Sequence, residues 1–376
     1  MFQEYVRSLP DLDLHGRPPL SYRLHIDVPL LLLLVGLSSA GLFILYSASG
    51  GNLAIVKRQA MHLVLGFVVL FLGAQFDPRT YARWGLGAYG LGLVLLIAVL
   101  IAGKTGKGAQ RWLDLPGLPA FQPSEIMKIA VPIALAWYLT RKPLPPKFKH
   151  IFGALLGLGV PFALIMMQPD LGTSLLIVFS GVFVIFLAGM SWRLILGFIA
   201  IFLSMFPMLW LFVMRPYQKQ RVLTFLNPES DQFGSGWNII QSKTAIGSGG
   251  FEGKGYMQGT QSQLDFLPES HTDFIIAVLS EEMGFIGAVI LILTYLAITF
   301  RGMLICIRAR DSFGRLLAGS LTLTFFIYVF VNIGMVTGIL PVVGVPLPLI
   351  SYGGTSIVTL LASFGLLMSV STHQKI

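Results

Sequence analysis

The sequence predicts an all-α integral membrane protein with about ten transmembrane helices and one long extracytoplasmic loop between the seventh and eighth. The 376-residue chain is 55% hydrophobic and 11% charged, and its mean hydropathy is +0.78. A soluble domain of this size needs more charge to cover its surface. The apolar residues also form runs of about 20 residues, the length that crosses a bilayer. Basic residues concentrate in the short connections between these runs.

The predicted spans follow one another closely along the chain. They lie at 28–47, 60–76, 84–102, 125–140, 151–168, 172–190, 194–213, 273–300, 316–338 and 353–371. The eighth span is unusual because Glu281 and Glu282 interrupt it. We expect residues 27–371 to form the membrane domain with 214–272 as its long outer loop, and residues 1–26 and 372–376 to form cytoplasmic tails. Residues 1–26 have no apolar core, so we expect no cleavable signal.

The distribution of Lys and Arg predicts the orientation. With the amino terminus inside, fifteen of the 26 Lys and Arg residues lie in inner segments and five lie in short outer loops. The long loop holds five more but is largely exempt from this rule, and the last is Lys128. Both termini are therefore predicted to be cytoplasmic, and the single cysteine, Cys306, to lie in an inner connection. The formal net charge of +9 fits contact with anionic lipid headgroups better than with nucleic acid.

The acidic residues have the opposite distribution. Eleven of the 17 Asp and Glu residues face outward or lie in the outer half of the predicted membrane domain. Carboxylates near a membrane are costly unless they are paired or functional. This asymmetry predicts a polar site that faces outward.

Two turns before predicted spans carry polar residues. Pro123 suits a first helical turn, so Glu125 and Lys128 fall on one helix face. One interpretation is a structural ion pair, and the other is that Lys128 lines a cavity and contacts a phosphate or a sugar. Asp170 is interpreted as the N-cap of a helix that begins at Gly172 or Thr173, rather than as a catalytic residue.

The long outer loop contains basic residues and a glycine-rich run from Gly247 to Gly259. Glycines allow backbone N–H groups to converge on an anion, and Arg221, Lys243 and Lys254 are cations that could neutralise a phosphate. A flexible loop explains the run equally well. The chain has no Walker or Rossmann motif, so nucleotide binding is not predicted.

Asp273 lies where the long loop meets the eighth predicted helix. Ser270 and Asp273 have the spacing of a capping box, although Glu or Gln is more usual than Asp at the second position. Asp273 also lies close to His271, in a polar cluster with Asp265 and Glu269. At about 100° per residue, neither following glutamate of the helix faces the same way as Asp273. The pattern therefore indicates a single exposed carboxylate rather than a carboxylate pair.

Five motifs of this chain resemble the SEDS family. The longest are FLPESHTDFIIAVLSEEMGFIG at 266–287 and FVNIGMVTGILPVVGVPLPLISYGGTS at 330–356. KGAQRWLDL at 107–115, FQPSEIMKIA at 121–130 and QPDLGTS at 168–174 match in the same order. The resemblance covers nearly the whole chain, and the outer-loop motifs resemble the RodA branch of the family more than the FtsW branch.

This resemblance implies a peptidoglycan glycosyltransferase of the bacterial plasma (inner) membrane. It implies polymerisation of lipid II onto a growing glycan strand at the outer leaflet, together with a class B penicillin-binding protein and the rest of the elongation machinery. The family's essential aspartate falls on Asp273, the predicted catalytic residue. A divalent cation, Mg²⁺, is also implied, with ligands unassigned. The predicted substrate-binding residues are Glu125, Lys128, Gln122, Arg111, Arg221, Lys243, His271 and Ser351.

The chemistry of that reaction fits the residues. A sugar 4-hydroxyl attacks an anomeric carbon whose leaving group, a lipid pyrophosphate, departs without being protonated, so an acid–base pair is unnecessary. One general base and cations that stabilise the departing charge suffice. A flippase for the same precursor is the alternative, but its polar residues should follow a path across the bilayer. A non-enzymatic scaffold leaves Glu125, Lys128 and Asp273 unexplained.

Overall fold

Helices occupy all ten predicted spans. The computed structural model describes residues 24–106, 109–114, 120–214, 216–231, 234–264, 266–267 and 269–373, so most of the predicted tails, Lys107 and Asp265 lie outside it. The membrane-domain helices are α1 Val28–Ala48, α2 Leu53–Gln75, α3 Pro78–Ala102, α4 Pro123–Thr140, α5 Phe148–Met167, α6 Leu171–Leu187, α7 Trp192–Met208, α11 Ile275–Arg308, α12 Ser312–Val336 and α13 Gly354–Thr372.

Seven of these described helices, α1, α2, α3, α5, α11, α12 and α13, are long and apolar enough to cross a membrane. Two further helices, α6 and α7, are apolar but shorter. The remaining one, α4, carries Glu125 and Lys128 in its first turns. The protein is therefore a multi-helix membrane protein, as predicted, and the count of ten crossings stays a prediction.

Aspartates define where several helices begin. The side chains of Asp27, Asp77 and Asp311 each accept a backbone N–H of the first turn of α1, α3 and α12. Asp170 does the same for α6 by accepting from Thr173 N at 3.2 Å. This confirms that Asp170 is an N-cap, although α6 begins at Leu171, one residue earlier than predicted.

The long outer loop is largely helical. It contains α8 Pro216–Leu226, a 3₁₀ turn Pro228–Asp231, α9 Ser235–Ser248 and the single turn α10 Thr260–Gln263. A short antiparallel hairpin, β1 Lys104–Gly106 and β2 Ala109–Trp112, connects α3 to α4. Neither the hairpin nor these helices was predicted, because short polar elements have no long apolar run to mark them.

The described membrane helices form two large apolar cores that share α12, and a small third cluster joins α6, α12 and Val345. One core is built from α1, α2, α11 and α13, and the other from α3, α4, α5 and α6. The first half of α12 packs in the second core and its last half in the first. In the most apolar part of α12, 72% of the residues are buried, against 22% in each of α2 and α3. Helix α12 is therefore central, and the other two lie at the periphery of the described helices.

Helix α11 differs from the predicted eighth span. It begins two residues after Asp273 and continues to Arg308 rather than ending at 300. Gly284 adopts φ +63° and ψ −160°, so the helix is broken there. The two glutamates that interrupt the apolar run therefore lie directly before a break in the helix.

Candidate active site

The candidate site surrounds the connection between α12 and α13, residues 337–353, which we call the 337–353 connection. Its backbone is irregular, and within a membrane such a segment needs partners for its polar groups. Gln59 of α2 donates from Nε2 to Ser351 O at 2.9 Å, and the Tyr295 hydroxyl of α11 donates to Pro348 O at 2.7 Å. Side chains of the surrounding helices therefore fix this connection.

Residues 271–273 lie along the 337–353 connection, and each is held through its carbonyl oxygen. Tyr352 N donates to His271 O at 2.9 Å, and the Ser351 hydroxyl donates to the carbonyl oxygen of residue 272. The Asn332 side-chain amide donates to Asp273 O at 2.9 Å. Asn332 is fully buried and also donates to Val345 O at 2.7 Å. Three consecutive bonds thus fix the backbone that carries Asp273.

The Asp273 side chain is half-buried and lies beside the 337–353 connection. A methyl group added at Gly344 would stand 3.5 Å from Asp273 Oδ2. Among the described residues, no side chain caps α11, and the Ser270 hydroxyl donates to Ala48 O at 3.1 Å instead. The capping-box interpretation is therefore wrong, and hydrogen bonds to the backbone carbonyls of residues 271–273 hold this segment instead.

The predicted ion pair of α4 is present. Lys128 Nζ lies 2.7 Å from Glu125 Oε1, and the two side chains are only 12% and 7% exposed. The other oxygen of Glu125 accepts from the Thr359 hydroxyl of α13 at 2.8 Å. Lys128 Nζ also stands 5.2 Å from the centre of the Tyr328 ring. The pair is satisfied within the protein, and contact between Lys128 and substrate stays a prediction.

Helix α12 brings the two predicted centres together. Tyr328, which contacts Lys128, and Asn332, which holds Asp273, are four residues apart on α12. Residues at this spacing share a helix face and are separated by about 6 Å along the axis. Lys128 and Asp273 therefore approach the same face of α12 about one turn apart.

Gln122 and Arg111 both lie beside Asp170, at the start of α6. Gln122 Nε2 donates to Asp170 Oδ2 at 2.8 Å, and Arg111 Nε lies 3.7 Å from the same oxygen. A methyl group added at Gly172, one residue into α6, would stand 3.0 Å from Val343 O. This polar group therefore borders the 337–353 connection on the side of α4 and α6.

Lys243 and Arg221 lie on the helices of the outer loop. A methyl group added at Gly338 would stand 2.6 Å from Lys243 Nζ, so this ammonium lies at the edge of the 337–353 connection. The neighbouring Ser242 hydroxyl donates to Val336 O at 2.8 Å and fixes α9 to the end of α12. Arg221 lies on α8, which packs on α9 and on the 3₁₀ turn. Its assignment as a substrate-binding residue stays a prediction.

The glycine-rich run is neither a free loop nor a source of a free cation. Lys254 Nζ lies 2.7 Å from Glu281 Oε1, and Glu281 has no exposed surface. Lys254 therefore has a partner within the protein, and its contact with a phosphate stays a prediction. The flexible-loop interpretation is wrong, because the run packs directly on α11.

The sequence analysis assigned no role to Asn332, although a buried asparagine in an apolar span is a signal for a functional contact.

The described residues contain no large cluster of metal-ligating side chains. Within them, no group of three or more His, Cys, Asp or Glu side chains lies close enough to hold a metal ion. The divalent cation that the motifs imply stays a prediction, and its ligands stay unassigned, because one or two carboxylates together with substrate phosphates can hold Mg²⁺.

Comparisons with known proteins agree with the motifs. Residues 23–376 match the family FtsW/RodA/SpoVE, described as cell cycle protein. The chain is 50% identical over 353 residues to the peptidoglycan glycosyltransferase MrdB of Escherichia coli K12, covering 94% of this chain and 95% of that protein. It is 37% identical over 364 residues to the probable peptidoglycan glycosyltransferase FtsW of Trichlorobacter lovleyi, covering 93% and 94%.

Two solved structures share the fold. One is a chain from a study of the structural coordination of polymerization and crosslinking by a peptidoglycan synthase complex. It has a TM-score of 0.81 and 30% identity, over 93% of this chain and 99% of that chain. The other is the rod shape determining protein RodA of Thermus thermophilus, with a TM-score of 0.69 and 29% identity over 92% and 96%. The chain is therefore a multi-pass membrane protein of the FtsW/RodA/SpoVE family.

Proposed function

We infer that this chain is a peptidoglycan glycosyltransferase, and we propose that it polymerises lipid II into glycan strands during cell elongation. We further propose that it works in the bacterial inner membrane, with both termini cytoplasmic and the reaction at the outer leaflet. The observation that carries the mechanism is the placement of Asp273. Three hydrogen bonds hold the backbone of residues 271–273 at the end of the bundle that holds the long loop. Lys243 lies at the edge of the 337–353 connection, and Arg111 and Lys128 lie on elements beside it.

Asp273 is proposed as the general base. Its carboxylate accepts the proton of the acceptor sugar's 4-hydroxyl while that oxygen forms a bond to the donor's anomeric carbon. The bond between the anomeric carbon and the pyrophosphate oxygen breaks, and its electron pair leaves with undecaprenyl pyrophosphate. Attack from the opposite face inverts the α-linked donor and gives a β-linked glycan. Because pyrophosphate is a stable anion, this step requires no general acid.

Cationic side chains around the 337–353 connection are proposed to bind the pyrophosphate. Lys243 lies at one edge of the connection, and Arg111 lies at the other beside Asp170. Lys128 lies below Asp273 on the shared face of α12. In a site of low dielectric constant, fixed positive charges stabilise a developing anion more strongly than water does. Gln122 shares the Asp170 carboxylate with Arg111, and His271 and Ser351, which lie along the 337–353 connection, are proposed as further polar contacts to substrate.

The partner is proposed to be a class B penicillin-binding protein. Support comes from the related chain that belongs to a peptidoglycan synthase complex in which polymerization and crosslinking are coordinated. A transpeptidase joined to the polymerase would crosslink the strand as it forms. The dependence on a divalent cation remains a proposal from the family resemblance, and a nucleic-acid partner is not proposed.

The direct test is polymerisation by the purified protein. The chain, alone and with its transpeptidase partner, is incubated with fluorescent lipid II and Mg²⁺, and the products are separated by electrophoresis. We expect a ladder of glycan strands that lysozyme digests. Transfer of lipid II across the bilayer of proteoliposomes without any ladder would instead support the flippase. A chain that neither polymerises nor moves lipid II, yet binds its partner, would support the scaffold.

A further inference from the structure

A buried glutamate outside the proposed mechanism ties the glycine-rich run to α11. Glu281 has no exposed surface, and its carboxylate accepts from three donors of the outer loop. These donors are Lys254 Nζ at 2.7 Å, the Thr260 hydroxyl at 3.0 Å and Gln261 N at 3.0 Å. A carboxylate this deeply buried is costly unless every lone pair has a partner. Its only evident use is to hold the loop.

The break in α11 continues this attachment through the backbone. At Gly284 the helix leaves two carbonyls and two amides without their ordinary helical partners. The loop supplies them: the amides of 254 and 255 donate to the carbonyls of 281 and 282, each at 3.0 Å. In return, the amides of 285 and 286 donate to the carbonyls of 250 and 251 at 3.0 and 3.3 Å. The loop is thus inserted into the helix break.

Glycines make this close approach feasible. A methyl group added at Gly249 would overlap Ser280 O, and one at Gly253 would overlap Glu282 O. One at Gly259 would stand 2.9 Å from a Glu281 carboxylate oxygen. We call this assembly, residues 249–261 against 280–286, the interlock.

The interlock joins the two helices that carry proposed site residues. Lys243 lies on α9, which ends immediately before Gly249. Asp273 precedes the first part of α11, which ends at the break. Because each helical segment is stiff, the contact at 249–261 and 280–286 fixes how α9 is placed relative to the start of α11.

We propose that Glu281 and Gly249 are positioning residues that set the separation between Asp273 and Lys243. This inference rests on the proposed function. In that function, the general base Asp273 and the pyrophosphate-binding cation Lys243 must both reach the same donor molecule, so their separation matters. Misplacement of a reacting group by about 1 Å can cost on the order of 10²-fold in rate. The loop therefore fixes the relative positions of site residues and does not itself bind substrate.

The test compares two glycines of the same run. Gly249→Ala forces α9 away from Ser280, whereas Gly247→Ala is a matched control because a methyl group there meets nothing within 4 Å. We expect Gly249→Ala to lower kcat for lipid II polymerisation by about 10- to 10²-fold with a smaller change in KM. Gly247→Ala should polymerise at the parent rate. Glu281→Gln, which keeps the side-chain shape, should lower kcat in the same way and serves if Gly249→Ala does not fold.

A distance measurement separates positioning from stability and from the proposed function. Spin labels are placed at Thr244→Cys on α9 and Met283→Cys at the end of the first part of α11, in a Cys306→Ser background, and their separation is measured in nanodiscs. We expect one narrow distance in the parent and the Gly247→Ala control, and a shifted or broadened one in Gly249→Ala and Glu281→Gln. An unchanged distance, or a changed distance with the parent's kcat, overturns the inference. A parent that makes no glycan removes the proposed function and the inference with it, while the distances still report whether the interlock holds α9.

Discussion

At the scale of single residues, local spacing predicts some contacts and leaves others invisible. Glu125 and Lys128 pair because three residues separate them on one helix, and Asp170 caps the helix that begins beside it. Asn332 could not be assigned a role in this way. Its two partners, the carbonyls of Asp273 and Val345, are 59 and 13 residues away in sequence. Only the fold brings them together.

The Lys128 pair gives a prediction at this scale. If Lys128 contacts substrate, Lys128→Met abolishes polymerisation, and the double variant Glu125→Gln/Lys128→Met stays inactive although no charge is left unpaired. Removing one partner of a buried pair costs about 3–5 kcal/mol in stability, so thermal unfolding in detergent is measured beside activity. The double variant should recover most of that stability. Recovery of activity along with stability would show that the pair is structural only.

At the scale of secondary-structure elements, apolar length predicts the membrane helices and polar connections remain unpredicted. The starts of α1, α3, α6 and α12 follow from aspartates placed before apolar runs. Helices α8, α9 and α10 were not predicted because they have no long apolar run. The break at Gly284 also has no local signal, since the amides and carbonyls that it frees are satisfied by a loop some 30 residues earlier.

A second contact between distant elements occurs at the predicted inner end. The His25 ring, just before α1, stacks on His373 at the end of α13, with centroids 3.9 Å apart and planes 5° apart. Burial, and then the neighbouring His373, lowers the pKa of His25 from its ordinary value of 6.5. Folding therefore favours the neutral ring. Its contribution to stability is present above pH 6.5 and is lost as the pH falls through the lowered pKa.

This stack predicts a difference in acid sensitivity. Between about pH 7.5 and about pH 5.5, the unfolding temperature of the parent in nanodiscs should fall more than that of His25→Phe, whose ring stacks without titrating. The other titrating groups are shared by the two proteins, so the difference between the two decreases in unfolding temperature reports His25 together with its interaction with His373. Equal falls in the two proteins would show that the stack does not respond to pH in this range.

At the scale of the whole molecule, the described helices form two cores joined by α12, with the site where the last half of α12 meets the 337–353 connection. Hydropathy and charge predict a membrane protein and its orientation, but they cannot predict which helix is central. The prediction that Cys306 lies in an inner connection between helices is wrong. Cys306 lies within α11, is buried, and donates to Arg315 O at 3.2 Å, so it does not report orientation as an accessible thiol.

Orientation is therefore tested with exposed positions in a Cys306→Ser background. Thr244 lies on α9 of the long loop, and Arg308 lies in the last turn of α11 at the opposite end. A membrane-impermeant maleimide should label Thr244→Cys in cells with a permeabilised outer membrane. It should label Arg308→Cys only after lysis, because the charge distribution places that end inside. The reverse pattern would show that the protein is inserted the other way.

The central claim is that Asp273 is the general base of lipid II polymerisation, and Asp273→Asn tests it most directly. Asparagine keeps the shape and the backbone bond to Asn332 but cannot accept the proton. With purified protein and its transpeptidase partner, lipid II and excess Mg²⁺, the rate of glycan formation should fall by roughly 10²-fold or more, with unfolding temperature and partner binding little changed. Polymerisation by Asp273→Asn at near the parent rate would contradict the account. Recovery at raised Mg²⁺ alone would identify the carboxylate as a metal ligand instead.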